Sequence, residues 1–244
     1  MAPAGQETAM SAAANSGERS GIMRSSTAHL LVALVLLIVV SPFLPETQAG
    51  IFVNSVLTSL VLVAGTLAIG YRRSVLVWAI VLAVPAVASI WLYRMLPNVM
   101  PSEVLLGAAL LFIALVFANL LRFIATAPRI NADILCAAAA NYVVLALFWA
   151  FAYELLDKLN PNSFKFTVGP VEAQSLCGFA GIYFSLSTQC TVGYGDIVPA
   201  TNVARMLAVV QATTGMFYVT MLIARLVALY SAHHQPGDPA LKCG

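Results

Sequence analysis

Two glycines that lie two residues apart, Gly193 and Gly195, give one short stretch of this chain the means to bind an ion. A dehydrated cation needs oxygen ligands, and successive backbone carbonyls supply them only when all of them point to one axis. Such a row requires backbone conformations that alternate along the chain, and glycine adopts positive φ at little steric cost. Thr191 adds a hydroxyl oxygen at one end. The residue types therefore predict a carbonyl-lined segment, residues 191–195, that coordinates a dehydrated cation.

The side chains beside this segment are of types that can hold it in place. We expect Val192 and Tyr194 to point away from the carbonyl axis and to brace the backbone. Tyr194 is predicted to pack on Tyr183 and Phe184, two aromatic residues that precede the segment. Asp196, which follows the segment, is placed to accept a hydrogen bond from Tyr183. These side chains are the predicted supports of the segment.

The composition of the chain excludes a water-soluble domain. Of its 244 residues, 61% are hydrophobic and 9% are charged, and the mean hydropathy is +0.90. A soluble domain carries about 25% charged residues, so this chain cannot cover a surface that faces water. Its apolar runs are long and continuous, which predicts helices and not barrel strands. The net charge of +2 is too small to suggest nucleic acid as a partner, and the four cysteines show no metal-ligand spacing.

Six apolar runs are long enough to predict membrane-spanning helices. They are residues 28–44, 51–70, 74–93, 103–121, 134–155 and 203–229. The first run has roughly seventeen residues, at the lower limit for a helix that spans a bilayer. With Arg24 before it and Thr47, Gln48 and Ala49 after it, the first run could also be a cleavable signal peptide. Either interpretation leaves the topology of the later runs unchanged.

A further apolar piece, residues 173–188, lies between the fifth and sixth runs and is too short to cross a membrane. We expect a re-entrant helix there, because backbone that does not span is tolerated only where protein or a water-filled cavity surrounds it. With its carboxyl end pointing inward, the negative end of its dipole favours a cation at the centre. Polar positions unusual for a helix that faces lipid are Gln174, Ser175, Ser185, Ser187 and Thr188.

The basic residues in the loops predict the side of the membrane on which each end of the chain lies. With both termini in the cytoplasm, more of these residues lie inside than outside. The inside set is Arg19, Arg24, Arg72, Arg73, Arg122, Arg129 and Lys242, and the outside set is Arg94, Lys158, Lys165 and Arg205. This orientation places residues 157–202, which include the predicted ion-binding segment, on the external side.

The string Thr-Val-Gly-Tyr-Gly, which follows the re-entrant piece and is flanked by two full spans, resembles the selectivity filter of potassium channels. The resemblance implies that K⁺ is the transported ion and that no cofactor is needed. The implied K⁺ positions are Thr191, Val192, Gly193 and Tyr194, with Gly195 completing the filter. One chain holds one such string, and a ring of carbonyls needs four, so a homotetramer is predicted.

The resemblance extends to residues at both ends of the string and includes one departure. Asp196 resembles the acidic residue that ends the motif in the family, and Thr188 and Cys190 are further expected supports of the filter. The family often has a hydroxyl residue where this chain has Cys190. We expect Cys190 to face the surrounding protein, so the departure bears on the stability and inactivation of the filter and not on the choice of ion.

The fourth run argues against steep voltage gating. A voltage-sensing helix carries arginines at every third residue, because each charge that crosses 100 mV contributes about 2.3 kcal/mol. Residues 104–121 contain no arginine, and Arg122 ends the run. The chain therefore most resembles the prokaryotic-type six-span potassium channel without a charged sensor. The predicted parts are a disordered cytoplasmic tail (1–27), a four-helix sensor-like membrane domain without gating charges (28–127), a pore domain (128–232) and a short cytoplasmic tail (233–244).

The sixth run resembles the inner helix of this family. Gly215 lies near its middle, and two interpretations compete: a gating hinge, or close packing against a neighbour. The polar residues Gln211, Thr214 and Thr220 are predicted to face a wet cavity. We expect Arg225, near the inner end, to meet headgroups or a neighbouring subunit and not the ion path.

The function that the sequence predicts is passive, selective conduction of K⁺. The predicted fold is an all-α membrane protein with six transmembrane helices, a re-entrant pore helix and filter between the fifth and sixth, and a homotetrameric pore. Enzymatic activity is not expected, since the spans hold no nucleophile–base pair. The expected partners are further copies of the chain, membrane lipid and K⁺, in a prokaryotic inner (plasma) membrane. Two alternatives stay open: a regulatory or silent channel subunit, and the membrane subunit of a potassium uptake system.

Overall fold

The computed structural model describes residues 27–44, 48–68, 102–127, 131–167 and 176–233. Within those ranges the chain forms six helices and two short strands. Their bounds in chain order are 27–40 for α1, Gln48–Ala68 for α2, Ser102–Thr126 for α3, Ala132–Leu159 for α4, Phe164–Phe166 for β1, Phe179–Gln189 for α5, Ile197–Pro199 for β2 and Asn202–His233 for α6. The predicted third span (74–93), residues 1–26 and residues 234–244 lie outside the described residues.

Three of the described helices are long and apolar enough to cross a bilayer. The qualifying stretches are Leu106–Thr126 in α3, Ala132–Leu159 in α4 and Asn202–Ala228 in α6. They correspond to the fourth, fifth and sixth predicted spans. The apolar stretches Thr27–Phe43 and Val56–Gly65 are shorter. The chain is thus an integral membrane protein with a mostly helical fold, while the count of six spans stays a prediction.

The long helices begin and end where the charges of the sequence favour it. Asp133 stands in the first turn of α4 and Lys158 in its last turn, where each charge opposes the partial charge of the helix end. Glu103 occupies the first turn of α3 in the same way. At the other end of the chain, α1 gives way to the 3₁₀ turn Ser41–Phe43, which has a proline in its first turn. Proline ends the α-helix because it lacks the amide hydrogen that the next turn requires.

Helix α4 lies at the centre of the core. Its residues Ala137, Ala138 and Ala140 are at most 2% exposed, and such small residues let neighbouring helices approach closely. The larger side chains around them come from α1, α2 and α3 and form one continuous apolar cluster with α4. Because α4 is buried against the rest of its own chain, its position is fixed, and its side chains can support the candidate site.

A small antiparallel sheet makes the fold other than purely helical. Strand β1 pairs with β2, with Phe164 opposite Pro199 and Phe166 opposite Ile197. The fold is mostly helical, as predicted, and this small sheet is added to it because the two linkers that flank α5 pair their backbone groups outside any helix. The amide of Ala200 also donates to the carbonyl of Ser163 at 2.8 Å. The sheet therefore joins the segment before α5 to the segment after it.

The short helix α5 begins later than the sequence predicts. The sequence predicts a re-entrant helix in the apolar piece 173–188, of which 173–175 lie outside the described residues, and the helix starts at Phe179. Gly178, directly before it, has φ 63°, a left-handed conformation that other residues adopt only with strain. With 11 residues the helix is about 16 Å long. That length is too short to cross a bilayer, in keeping with a re-entrant helix.

Candidate functional site

The backbone of the predicted ion-binding segment alternates in conformation at every second residue. Thr191, Gly193 and Gly195 have φ values of 58°, 56° and 81°, whereas Val192 and Tyr194 are not in the positive-φ region. The two glycines stand where the sequence places them in such an alternation. Thr191 extends the pattern, which the sequence does not reveal, since a β-branched residue at positive φ is an outlier. Strain of this kind persists only where the surroundings hold the backbone in place.

Helix α5 holds the first half of the segment through the carbonyls of its last turn. The amide of Cys190 donates to the carbonyl of Leu186 at 2.9 Å, and the amide of Thr191 donates to that of Thr188 at 3.0 Å. The amides of Val192 and Gly193 both point to the carbonyl of Ser187, at 2.8 and 3.3 Å. The predicted support by Thr188 therefore acts through its backbone. The position of the segment depends on the position of the end of α5.

Thr167, which follows β1, holds the outer end of the segment. Its hydroxyl lies 3.0 Å from the carbonyl of Gly195 and 3.1 Å from that of Asp196, and its amide donates to the latter at 2.8 Å. Within the described ranges, the carbonyls of residues 191–194 accept no hydrogen bond. Their oxygens are therefore available to a ligand, whereas that of Gly195 is engaged.

Asp196 and two tyrosines form the outer support of the segment. The Tyr183 hydroxyl donates to Asp196 Oδ2 at 2.7 Å, and the amide of Ile197 donates to Asp196 Oδ1 at 3.0 Å. The ring of Tyr194 stacks on that of Tyr183, with centroids 6.2 Å apart and an interplanar angle of 8°. The hydrogen bond from Tyr183 to Asp196 and the stacking of Tyr194 on Tyr183 are the contacts expected from the sequence.

Phe184 has a different role from the predicted one. Its ring packs against Tyr153 and Phe164, with centroid separations of 5.1 and 5.4 Å, and it is 5% exposed. No contact with Tyr194 is described. Phe184 therefore faces α4 and β1, and it anchors the helix and not the segment.

Tyr142 of α4 reaches the residues that precede the segment. Its hydroxyl lies 3.4 Å from the carbonyl of Gln189 and 3.6 Å from Cys190 Sγ. The Gln189 side chain in turn donates from Nε2 to the carbonyl of Tyr142 at 2.8 Å. Cys190 is otherwise exposed on the single chain. No local pattern points to Tyr142, because it stands 47 residues from Gln189.

Gly215 lies where α6 crosses the end of α5. A Cβ atom at this position would stand 2.8 Å from Gln189 Cγ and 3.0 Å from its carbonyl oxygen. The first distance is shorter than real Cβ contacts allow, so the two helices touch only because residue 215 has no side chain. This geometry supports the close-packing interpretation of Gly215, and the gating hinge stays a prediction.

The structure contradicts the prediction that Gln211, one turn before Gly215, faces a wet cavity. Its side chain is fully buried and accepts a hydrogen bond from the Tyr153 hydroxyl at 2.6 Å. Thr214 and Thr220, by contrast, donate to carbonyls of their own helix, those of Gln211 and Met216. The prediction is wrong for Gln211 because the polar groups of α4 and α5 lie within its reach.

Comparison with known proteins identifies the region that holds this site. Residues 142–232 match a family model described as "Ion channel". This region is an ion-channel domain. The resemblance to channels that the sequence suggests is confirmed, and because the family consists of ion channels, so is the expectation that the chain is not an enzyme.

The curated relatives that resemble the chain are potassium channels. A two-pore potassium channel 4 of Arabidopsis thaliana is 46% identical over 46 residues, which cover 19% of this chain and 16% of the relative. A voltage-gated potassium channel of Aeropyrum pernix is 28% identical over 101 residues, 41% of this chain and 30% of the relative. The chain thus spans less than a third of the length of either relative. No solved structure matches the chain.

Proposed function

We propose that the protein is a passive, potassium-selective channel in which residues 191–195 form the selectivity filter. The observation that carries the proposal is the alternation of positive φ at Thr191, Gly193 and Gly195. Alternation of this kind suits a row of carbonyls that replaces the hydration shell of K⁺. The free carbonyls of residues 191–194 are the proposed K⁺ ligands. The relatives that are potassium channels by name support the choice of ion.

The proposed conducting unit is a homotetramer. On a single chain Tyr194 is 72% exposed and Val192 is 51% exposed, and a filter left open on one side cannot enclose an ion. A ring of four copies would supply the missing carbonyls around the axis and would cover exposed apolar side chains of α6, among them Val209 and Phe217. Some of the relatives are two-pore channels by name, but this chain has one filter string, so four copies are required.

We further propose that gating is not steeply voltage-dependent and that both termini lie in the cytoplasm. Helix α3 carries Arg122 near its end and no other arginine, so it has little charge to move in the membrane field. The proposed inner-membrane location in a prokaryotic cell rests on the resemblance alone. Single-channel recording across a range of voltages tests the gating, and a steep response would overturn this part of the proposal.

Ion flux in liposomes tests the proposed filter. The purified chain is expected to pass K⁺ and not Na⁺ down a gradient, and barium is expected to block the flux. Gly193→Ala should abolish conduction or its selectivity for K⁺, because φ 56° costs an alanine about 1–2 kcal/mol. Gly107→Ala on α3 is the matched control, since a Cβ there meets nothing within 4 Å.

The outcomes separate the proposal from its alternatives. Equal K⁺ and Na⁺ flux through the wild type, or an unchanged Gly193→Ala variant, would overturn the filter assignment. Flux that appears only after a second subunit is added would indicate a regulatory or silent subunit. Flux that runs against the K⁺ gradient and needs an energy source would indicate part of an uptake system.

A further inference from the structure

Two residues one turn apart on α6 contact two residues one turn apart on α5. Gln211 Nε2 donates to the carbonyl of Ser185 at 2.9 Å and lies 2.7 Å from Ser185 Oγ. One turn further along both helices, Gly215 packs against Gln189 at the distance that only a glycine allows. The contact thus combines a polar pair with a close steric fit. It lies where α5 passes into the proposed filter.

The side-chain amide of Gln211 forms hydrogen bonds with two other helices, one through its oxygen and one through its nitrogen. Its Oε1 accepts from the hydroxyl of Tyr153 on α4 at 2.6 Å, while its Nε2 binds Ser185 on α5. Ser185 Oγ in turn donates to the carbonyl of Ala146 on α4 at 2.6 Å. Gln211, Ser185 and Tyr153 are all fully buried. Because a buried polar group without a partner is costly in a protein interior, this arrangement fixes three helices relative to one another.

The end of α5 that these contacts hold is the part that positions the filter. The carbonyl of Ser187 accepts from the amides of Val192 and Gly193, and it lies on the turn between Ser185 and Gln189. A shift of this turn therefore moves the first residues of the filter by a similar amount. Since ion selection depends on how many carbonyl oxygens surround the ion and on where they stand, such a shift alters the choice of ion.

We propose that Gln211 is a positioning residue for ion selection, which holds the end of α5, and through it the filter, at the geometry that prefers K⁺. The proposal rests on the potassium-channel function proposed above. Gln211 touches no ion and acts through Ser185 and the last turn of α5. Tyr153 is its partner on α4, so the two side chains form one functional unit.

The test is the permeability ratio of K⁺ to Na⁺, taken from reversal potentials of the full chain in planar bilayers. Gln211→Leu keeps the approximate size of the side chain and removes its donors and acceptor. We expect the ratio to fall about tenfold, which corresponds to about 1.4 kcal/mol, the size of one net buried hydrogen bond. Tyr153→Phe should lower it by a smaller factor. The double variant should resemble Gln211→Leu alone, because residues that act as a unit are not additive.

Asn119→Leu on α3 is the matched control. The Asn119 side-chain amide donates to the carbonyl of Leu115 in its own helix at 2.7 Å. The substitution therefore removes a side-chain amide of the same kind but breaks no hydrogen bond between helices. A purely structural role of Gln211 would lower the stability of the channel and leave the ratio unchanged, as we expect for the control.

The outcomes distinguish the inference from the function on which it rests. A wild type that does not select K⁺ would overturn the proposed function. A selective wild type together with an unchanged ratio in Gln211→Leu would overturn the inference alone. If Gln211→Leu does not assemble, Tyr153→Phe and Ser185→Ala decide: a lowered ratio in either supports the inference, and unchanged ratios in both overturn it.

Discussion

The two long helices that flank the candidate filter, α4 and α6, are similar in length and differ in how far their own chain covers them. In the apolar part of α4, 61% of the residues are buried, against 11% in α6. Helix α4 shares one apolar cluster with α1, α2 and α3 and packs against α5 through a second. Among the residues of α6 that are buried or half-buried, six form a stripe along the helix: Ala204, Ala208, Gln211, Gly215, Tyr218 and Leu222.

This difference indicates two separate tasks. Helix α4 completes the fold of one chain, so its residues are chosen for packing within that chain. Helix α6 uses one stripe to hold α5 and presents a largely apolar surface elsewhere. A helix that is apolar all round requires further apolar neighbours, which the membrane and other copies of the chain provide. Substitutions on the stripe, on the enclosed helix, on the exposed face and at the inner end of α6 should therefore differ in their effects.

The largest effect is expected on the stripe of α6, at Gly215. In Gly215→Val the new Cβ would stand 2.8 Å from Gln189 Cγ, so the helices must separate, which we expect to cost about 3 kcal/mol in the free energy of unfolding. Denaturant titration in detergent measures it. Gly107→Val, at an open position of α3, should stay within about 0.5 kcal/mol of the wild type. If Gly215→Val and Gly107→Val both change the free energy of unfolding by a similar small amount, the stripe does not hold α6 against its own chain.

The stripe also marks the limit of what the sequence could predict. The helices, the membrane class and the two glycines of the candidate filter follow from local patterns, since each depends on residues that are close in sequence. Gln211 bonds to Ser185 and Tyr153, which are 26 and 58 residues away, and no periodicity encodes such distances. The hydroxyl of Thr167 reaches Gly195 over 28 residues. These supports depend on how the helices pack, and that is known only from the fold.

A matched pair of valines is expected to separate stability within the chain from stability between chains. Val144 of α4 is 3% exposed, whereas Val209 of α6 is 57% exposed and lies on the face opposite the stripe. Val144→Ala should cost about 2 kcal/mol in unfolding, because it leaves a cavity. Val209→Ala should change unfolding by less than about 0.5 kcal/mol but should raise the fraction of dissociated subunits.

Native mass spectrometry of both valine variants at a series of protein concentrations measures that dissociation. Val144→Ala serves as the control for general destabilisation, since it should weaken the chain and leave the subunit interface intact. If Val209→Ala leaves the oligomer unchanged while Val144→Ala dissociates it, the assignment of the exposed face of α6 to a neighbouring copy is wrong.

The smallest effect is expected at the inner end of α6, where Arg225 links the helix to the end of α3. Its Nη2 donates to the carbonyl of Ala127 at 3.2 Å, directly after the last turn of α3, where a cation is favoured by the helix dipole. The sequence predicts that this side chain meets headgroups or a neighbouring subunit, whereas the structure gives it a partner in its own chain. Arg225→Ala should lower the free energy of unfolding by about 0.5–1 kcal/mol at low salt and by less at high salt. Arg225→Lys, which keeps the charge, should recover most of the loss.

Equal stability of Arg225→Ala and the wild type at low salt would mean that α6 is attached to its own chain through the stripe and not through Arg225, which would sharpen its contrast with α4.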